Sequence, residues 1–220
     1  MSTLLTVSGV SKAFGGLQAL SDISLCVNTG EIFGLIGPNG AGKTTLFNAL
    51  TGLYTTDRGE IRLRERRLDN RPPHQVLKAG LARTFQNIRL FAEMTALENV
   101  LVGRHARTTS GVIGAVLRLP ATRREEVDSR ERAHALLSRV GIAQHANRLA
   151  KNLPYGDQRR LEIARALATE PSLLALDEQL ANVEDPYTKK GLQLVVDGTD
   201  PELVADVLEA ENDAMRKRHA

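Results

Sequence analysis

The chain has 220 residues, 42% hydrophobic and 25% charged, with 29 Lys+Arg against 26 Asp+Glu and a formal net charge of +3. That length and balance suit one sizeable domain, or a domain carrying an insert, and exclude a disordered or fibrous chain. A charge of +3 over this length is a weak field, and basic runs such as Arg62–Arg67 are broken by acids, so no nucleic-acid partner is expected.

Cys26 is the only cysteine, which excludes an intrachain disulfide and any multi-cysteine zinc site. Residues 1–6 lack the basic and then apolar layout of a secretory leader, and no run approaches the ~18 apolar residues of a membrane span. The expectation is a cytoplasmic chain that reaches a membrane only through a partner. In chain order, Leu4–Val10 and Ile23–Val27 read as strands around the turn residues Phe14-Gly15-Gly16. Ile32–Ile36 is a continuous apolar run, as in a strand buried on both faces of a parallel sheet. A glycine-rich loop follows, and then a helix from Lys43 to Leu50, the opening of a doubly wound α/β architecture. Residues 95–170 read as mostly helical, with interruptions near residues 108–114 and at Pro120, before a second buried strand at Leu173–Leu176. Beyond it, Thr199-Asp-Pro-Glu starts an amphipathic helix whose apolar face includes Leu203, Val204, Val207 and Leu208.

Gly37, Pro38, Asn39, Gly40, Ala41, Gly42, Lys43 and Thr44 complete a G-x-x-x-x-G-K-[ST] loop between that strand and that helix, with Thr45 next in line. Such glycines let consecutive backbone N–H groups converge on phosphates, and the helix start adds partial positive charge. Lys43 supplies a cation for the outer phosphates and Thr44 a hydroxyl for Mg²⁺. The apolar strand ends in Asp177 and Glu178, which places one carboxylate for Mg²⁺ and one as a general base for water. Between these motifs, Leu153-Pro-Tyr-Gly-Asp-Gln158 is a glycine loop that opens another helix.

With these motifs in this order the sequence resembles the ATP-binding cassette family. Arg83-Thr-Phe-Gln86-Asn-Ile-Arg-Leu-Phe91, Met94–Val100 and Asn147–Arg160 resemble one branch of it, the ATP-binding subunits of branched-chain amino-acid importers. The resemblance covers about residues 4–178. It implies an α/β P-loop cassette with a helical subdomain at about 87–165, binding ATP and Mg²⁺ on the inner face of the cell membrane. The implied partners are membrane-spanning permease subunits and a second cassette. By position it implies that Phe14 stacks on adenine, that Gln86 contacts Mg²⁺ or water and senses the permease, and that Tyr155, Gly156, Asp157 and Gln158 close on ATP held by the second cassette. Pro154 stands where many members have a serine.

After Glu178 the resemblance stops. The family's proline, its glycine-containing loop and its later strand ending in a histidine have no counterpart, and of the five histidines only His219 follows Glu178. Residues 179–220 form an atypical, helical tail, and about 184–218 resemble a cytoplasmic segment of the larger flagellar-motor stator subunit, with none of that family's membrane helices. A diverged cassette terminus is the alternative. Two functions stay open: an ATP-hydrolysing importer subunit, or a nucleotide-binding chain that does not hydrolyse productively. An ATPase acting on nucleic acid or ribosomes is disfavoured, because such proteins usually resemble two cassettes in one chain and only one phosphate loop is present.

Overall fold

A computed structural model describes residues 2–38, 40–84, 88–107, 120–178 and 191–196, with only the backbone described at residues 36, 120–122, 177, 178 and 191–196. It divides into two compact units, Met1–Gln86 with Pro171–Ala220, and Asn87–Glu170.

The first unit holds two sheets. β1 (Thr3–Phe14) and β2 (Leu17–Asn28) form an antiparallel hairpin, with Gly15 and Gly16 at φ 51° and 88° in the two-residue turn. Positive φ at both turn residues matches the twist of the flanking strands, and glycine adopts it without steric cost. β1 also pairs antiparallel with β4 (Arg58–Leu63), which pairs with β5 (Arg66–Arg67), giving the order β2-β1-β4-β5. Both long strands outrun the apolar stretches seen in the sequence. Register shifts between Val7 and Val10 and between Lys12 and Ala13 break the two-residue alternation while backbone pairing continues through polar residues.

The second sheet has the order β3-β8-β7-β6, from β3 (Ile32–Ile36), β6 (Leu81–Arg83), β7 (Leu173–Glu178) and β8 (Gly191–Val196). β6 and β7 are parallel, whereas β8 runs antiparallel to both β3 and β7. Two expectations are corrected here. The region after Glu178 is not solely helical, because it supplies this inserted strand; residues 179–190 and the helix expected from Thr199 lie outside the described residues. Nor is β3 a fully buried parallel strand. It sits at the end of the sheet with β8 as its neighbour, and Ile32 is 45% exposed. Leu173–Leu176 of β7, flanked on both sides, are all buried.

Between the sheets lies α1 (Lys43–Leu50), with α2 (Pro73–Ala79) beside β6. Leu46, Phe47 and Leu50 of α1 join Leu5, Val7 and Val10 of β1, Ile61 and Leu63 of β4, and Leu173 and Ala175 of β7 in one core. A fully buried Phe such as Phe47 stabilises by roughly 3–5 kcal/mol relative to Ala, so this packing fixes where α1, and the loop before it, can sit.

The second unit is built from α3 (Ala96–His105), α4 (Pro120–Arg139) and α5 (Tyr155–Leu167), with single 3₁₀ turns at Ala143–His145 and Ala150–Asn152. α4 begins at Pro120, where the missing N–H and fixed φ of proline are allowed in a first turn. α3 opens with a reciprocal capping box: the Glu98 N–H donates to the Thr95 hydroxyl, and the Thr95 N–H donates to the Glu98 carboxylate at 2.7 Å. Asn99, wholly buried, accepts from the Phe91 N–H and donates to the carbonyls of Phe91 and Thr95, which ties the preceding loop to the helix.

Glu170 closes this unit with φ +50°. Its carboxylate accepts from Arg104 at 2.5 Å and Arg132 at 3.0 Å, while Arg107 donates to the carbonyls of Thr169 and Glu170. Burial pushes the Glu170 carboxyl up, but the Arg104 hydrogen bond and the charges of Arg104, Arg132 and Arg107 outweigh it and hold it below the usual range. A depressed folded pKa gives stability that is full above the unfolded value near 4.3 and is lost as pH falls through the folded value. Glu170→Gln is expected to lower stability at pH 7 by ~0.5–1 kcal/mol, discounted for its partial exposure. The difference should begin to shrink as pH falls below about 4.3 and go on shrinking toward pH 3, which urea titrations of both proteins between pH 3 and 7 will read.

A proline in the middle of β8 removes a ladder hydrogen bond from a strand flanked on both sides. Leu194, paired with Phe33 and Ala175, is that position, and Leu194→Pro is expected to lower Tm by roughly 5 °C or more in calorimetry.

Candidate functional site: a phosphate loop and an aromatic platform

β3 delivers the chain into the glycine loop, and α1 carries it away. Gly40 and Gly42 adopt φ 85° and 82°. At Gly42 a side chain is excluded twice, because a Cβ there would also lie 2.4 Å from the Ala19 carbonyl oxygen of β2. The loop is therefore pressed against the hairpin sheet, and the turn into α1 needs glycine. Lys43 folds back over the loop, its ammonium donating to the Gly37 carbonyl and, at 2.7 Å, to the Pro38 carbonyl. Two of its three donors thus draw the strand end and the helix start together around the positive charge.

The start of α1 differs from that of α3. Gly42 is its N-cap, no side-chain oxygen caps it, and no acid occupies its first turn. Its leading N–H groups and partial positive charge are left for an outside anion, the arrangement that binds phosphate. Gly37, Pro38, Gly40, Ala41, Gly42, Lys43, Thr44 and Thr45 are brought together here, and Asn39 lies outside the described residues.

Asp177 and Glu178 form the end of β7, where the register Asp177↔Leu192 and Glu178↔Gly191 places their backbones beside the start of β8. Their side chains, and Gln86, lie outside the described residues. Among the described residues no group of three His, Cys, Asp or Glu could hold a metal ion. Among the described side chains the oxygen donor at hand is the Thr44 hydroxyl at the start of α1, and Asp177 is placed by its backbone at the end of β7. A lone hydroxyl is compatible with an ion such as Mg²⁺ that keeps most of its shell as water and substrate phosphate.

Phe14 ends β1 and is 42% exposed, so it is not a core side chain. Its ring packs edge-to-face against Tyr54, with centroids 5.2 Å apart at 71°, and the Lys12 ammonium lies 5.3 Å from its centroid. Asp57 accepts from Lys12 at 2.9 Å and from the Ala13 N–H at 2.7 Å. These bonds, Lys12 first, hold its carboxyl below the usual range. The family resemblance singled out Phe14 but gave no sign of Tyr54, Lys12 or Asp57 beside it. Tyr54 lies beyond the end of α1, and no local pattern ties it to residue 14.

In the second unit, Tyr155, Gly156, Asp157 and Gln158 form the first turn of α5. Pro154 is the N-cap and offers no side-chain acceptor. Gln158 instead secures the turn, its N–H donating to the Pro154 carbonyl and its side-chain amide to the Leu153 carbonyl, both at 2.9 Å. Asp157 carries an acid into this helix start, with His145 Nε2 at 3.4 Å and Arg160 Nη1 at 3.6 Å from its carboxylate. Tyr155 is exposed, with Arg159 over its ring.

A phosphate loop between a strand and an uncapped helix, on a two-sheet unit with a separate helical unit, defines a nucleotide-binding cassette. Residues 20–181 match the ABC transporter family, and the chain belongs to that family. It is 48% identical over 194 residues to the high-affinity branched-chain amino acid transport ATP-binding protein LivG of Salmonella typhimurium, covering 88% of this chain and 76% of that one. It is 45% identical over 185 residues to BraF of Pseudomonas aeruginosa, described in the same words, covering 84% and 72%. Among solved structures it resembles an ATP-binding cassette of an ABC transporter in its ADP conformation, with TM-score 0.68, 27% identity, and 96% and 76% of the two chains covered. Among the described residues no helix is long and apolar enough to cross a membrane.

Gly42→Ala adds a methyl group against the Ala19 carbonyl at a left-handed position. It is expected to cost about 1–2 kcal/mol of stability from the backbone alone and to weaken MgATP binding at least tenfold, as calorimetric titration will measure.

Proposed function

We propose that the chain is the ATP-binding subunit of an importer for branched-chain amino acids, working at the cytoplasmic face with permease subunits and a second cassette. The observation that carries this reading is the loop of residues 37–44, folded around Lys43 at a helix start that no side chain caps. In this reading the loop amides and Lys43 hold the phosphates of ATP, and Phe14 packs on the adenine. Thr44, Asp177 and Gln86 supply oxygen donors to Mg²⁺, which screens phosphate charge when bound. Glu178 accepts a proton from the attacking water. The first turn of α5, residues 155–158, meets the ATP held by the second cassette, and the segment from Gln86 to Gly103 receives the permease.

A second reading, nucleotide binding without productive hydrolysis, is favoured by β8. Its antiparallel course puts Gly191 beside Ile36 and Glu178, at the end of the sheet where the phosphate loop begins. A glycine brings no side chain to that position. The resemblance implies a later strand ending in a histidine, and β8 (Gly191–Val196) contains none.

MgATP at a hundredfold excess over Kd stabilises a protein that binds it only when folded by about 2.7 kcal/mol, or roughly 5–11 °C in Tm for a chain of this length. The wild-type protein is expected to show this shift and Lys43→Ala to lack it; equal shifts would remove the loop from the site. Phosphate release then separates the two readings. Turnover above the Lys43→Ala background, abolished in Glu178→Gln with ATP binding retained, supports the hydrolysing subunit. Binding without turnover in the wild type supports the other.

A further inference from the structure

We propose that Tyr54 is a positioning residue for nucleotide binding: it sets the tilt of the Phe14 ring so that the pair accepts a purine as a third flat ring. The inference rests on the reading of Phe14 as the base platform. The chain has only three Tyr and five Phe, yet two of these rings lie in contact while 42% and 40% exposed. Exposed aromatic surface gathered in one place is a mark of ligand contacts. Edge-to-face geometry at 5.2 Å is a preferred minimum for two aromatic rings, so Tyr54 restrains the plane of Phe14 beyond merely touching it.

Both rings stand on fixed backbone. The two residues before Phe14 are bonded to Asp57, Lys12 through its ammonium and Ala13 through its N–H. Tyr54 is held to α1, its N–H and that of Leu53 both donating to the Asn48 carbonyl, at 3.0 and 2.8 Å. The other end of α1 is the phosphate loop. Eight helical residues span about 12 Å, a length comparable to an extended nucleoside triphosphate. One rigid helix thus sets the separation between the ring that positions the base platform and the cation at the phosphates.

The test uses the full chain and two probes, ATP and inorganic tripolyphosphate, and reads the ratio of their affinities within each variant. That ratio cancels any loss of folded protein. Tyr54→Leu is expected to lower the ATP preference about twofold to tenfold, the range for an aromatic pair, with tripolyphosphate binding unchanged. Tyr54→Phe should keep the wild-type ratio, because the contact needs the ring and not the hydroxyl. Adding Tyr54→Leu to Phe14→Ala should produce no further loss. If Phe14→Ala lowers the ratio and Tyr54→Leu does not, the role of Tyr54 is overturned and the platform stands. If Phe14→Ala leaves the ratio unchanged, the platform itself falls, and the inference with it.

Discussion

Among the described residues, every strand-to-strand hydrogen bond that ties β3 into its sheet runs through β8. β3 carries the phosphate loop and β7 the two acids, and the strands do not touch; the five paired residues of β8 against β3 and the six against β7 set the distance between them. Strand spacing is a fixed quantity, near 4.8 Å per step, so an inserted strand of either direction keeps the strand before the loop and the strand that ends in the two acids about two steps apart. Direction decides something else: which end of the inserted strand arrives at the site. The spacing is therefore kept by backbone geometry alone, while the chemistry at that position depends on sequence.

Helix starts divide the labour in the two units. α3 uses its own side chains to satisfy its first turn through Thr95 and Glu98 and has no call for an outside anion. α1 leaves that capacity open and relies on burial of Phe47 and its neighbours for stability instead. α5 is intermediate: no side-chain cap, but an acid at Asp157 in its first turn, with Arg160 close by to offset the charge. The electrostatic difference among three helices of similar length follows from a few residues at their first turns.

The phosphate loop, α1 with its bounds, and β7 were all legible in the sequence, because each is a local pattern with a local physical cause: glycines where φ must be positive, a four-residue apolar run where a strand is covered on both faces. β8 was not. Leu192-Gln-Leu-Val-Val196 has the β-branched content of a strand, but its identity as one comes from pairing with residues 32–36 and 173–178, and the helix signal that starts at Thr199 dominated the reading of that stretch. The ring pair of Phe14 and Tyr54 escaped for the same reason, since forty residues separate positions that only the packing of α1 against the hairpin sheet brings together. Glu170 was invisible too: nothing local distinguishes it, and its three arginines come from α3, α4 and the turn after α3.

The pairing of residue 36 with residue 191 also orders events during synthesis. The β1–β2 hairpin and the helices described in the second unit draw on nearby residues and can form while the chain is still growing. β3 cannot: at about 5–20 residues per second, its partner strand is made roughly 8–30 s later. For that interval an apolar strand edge and the loop behind it stand unpaired, open to wrong partners on the same or a neighbouring nascent chain. A holding chaperone, or a slower ribosome, would act on this protein through such delayed pairing.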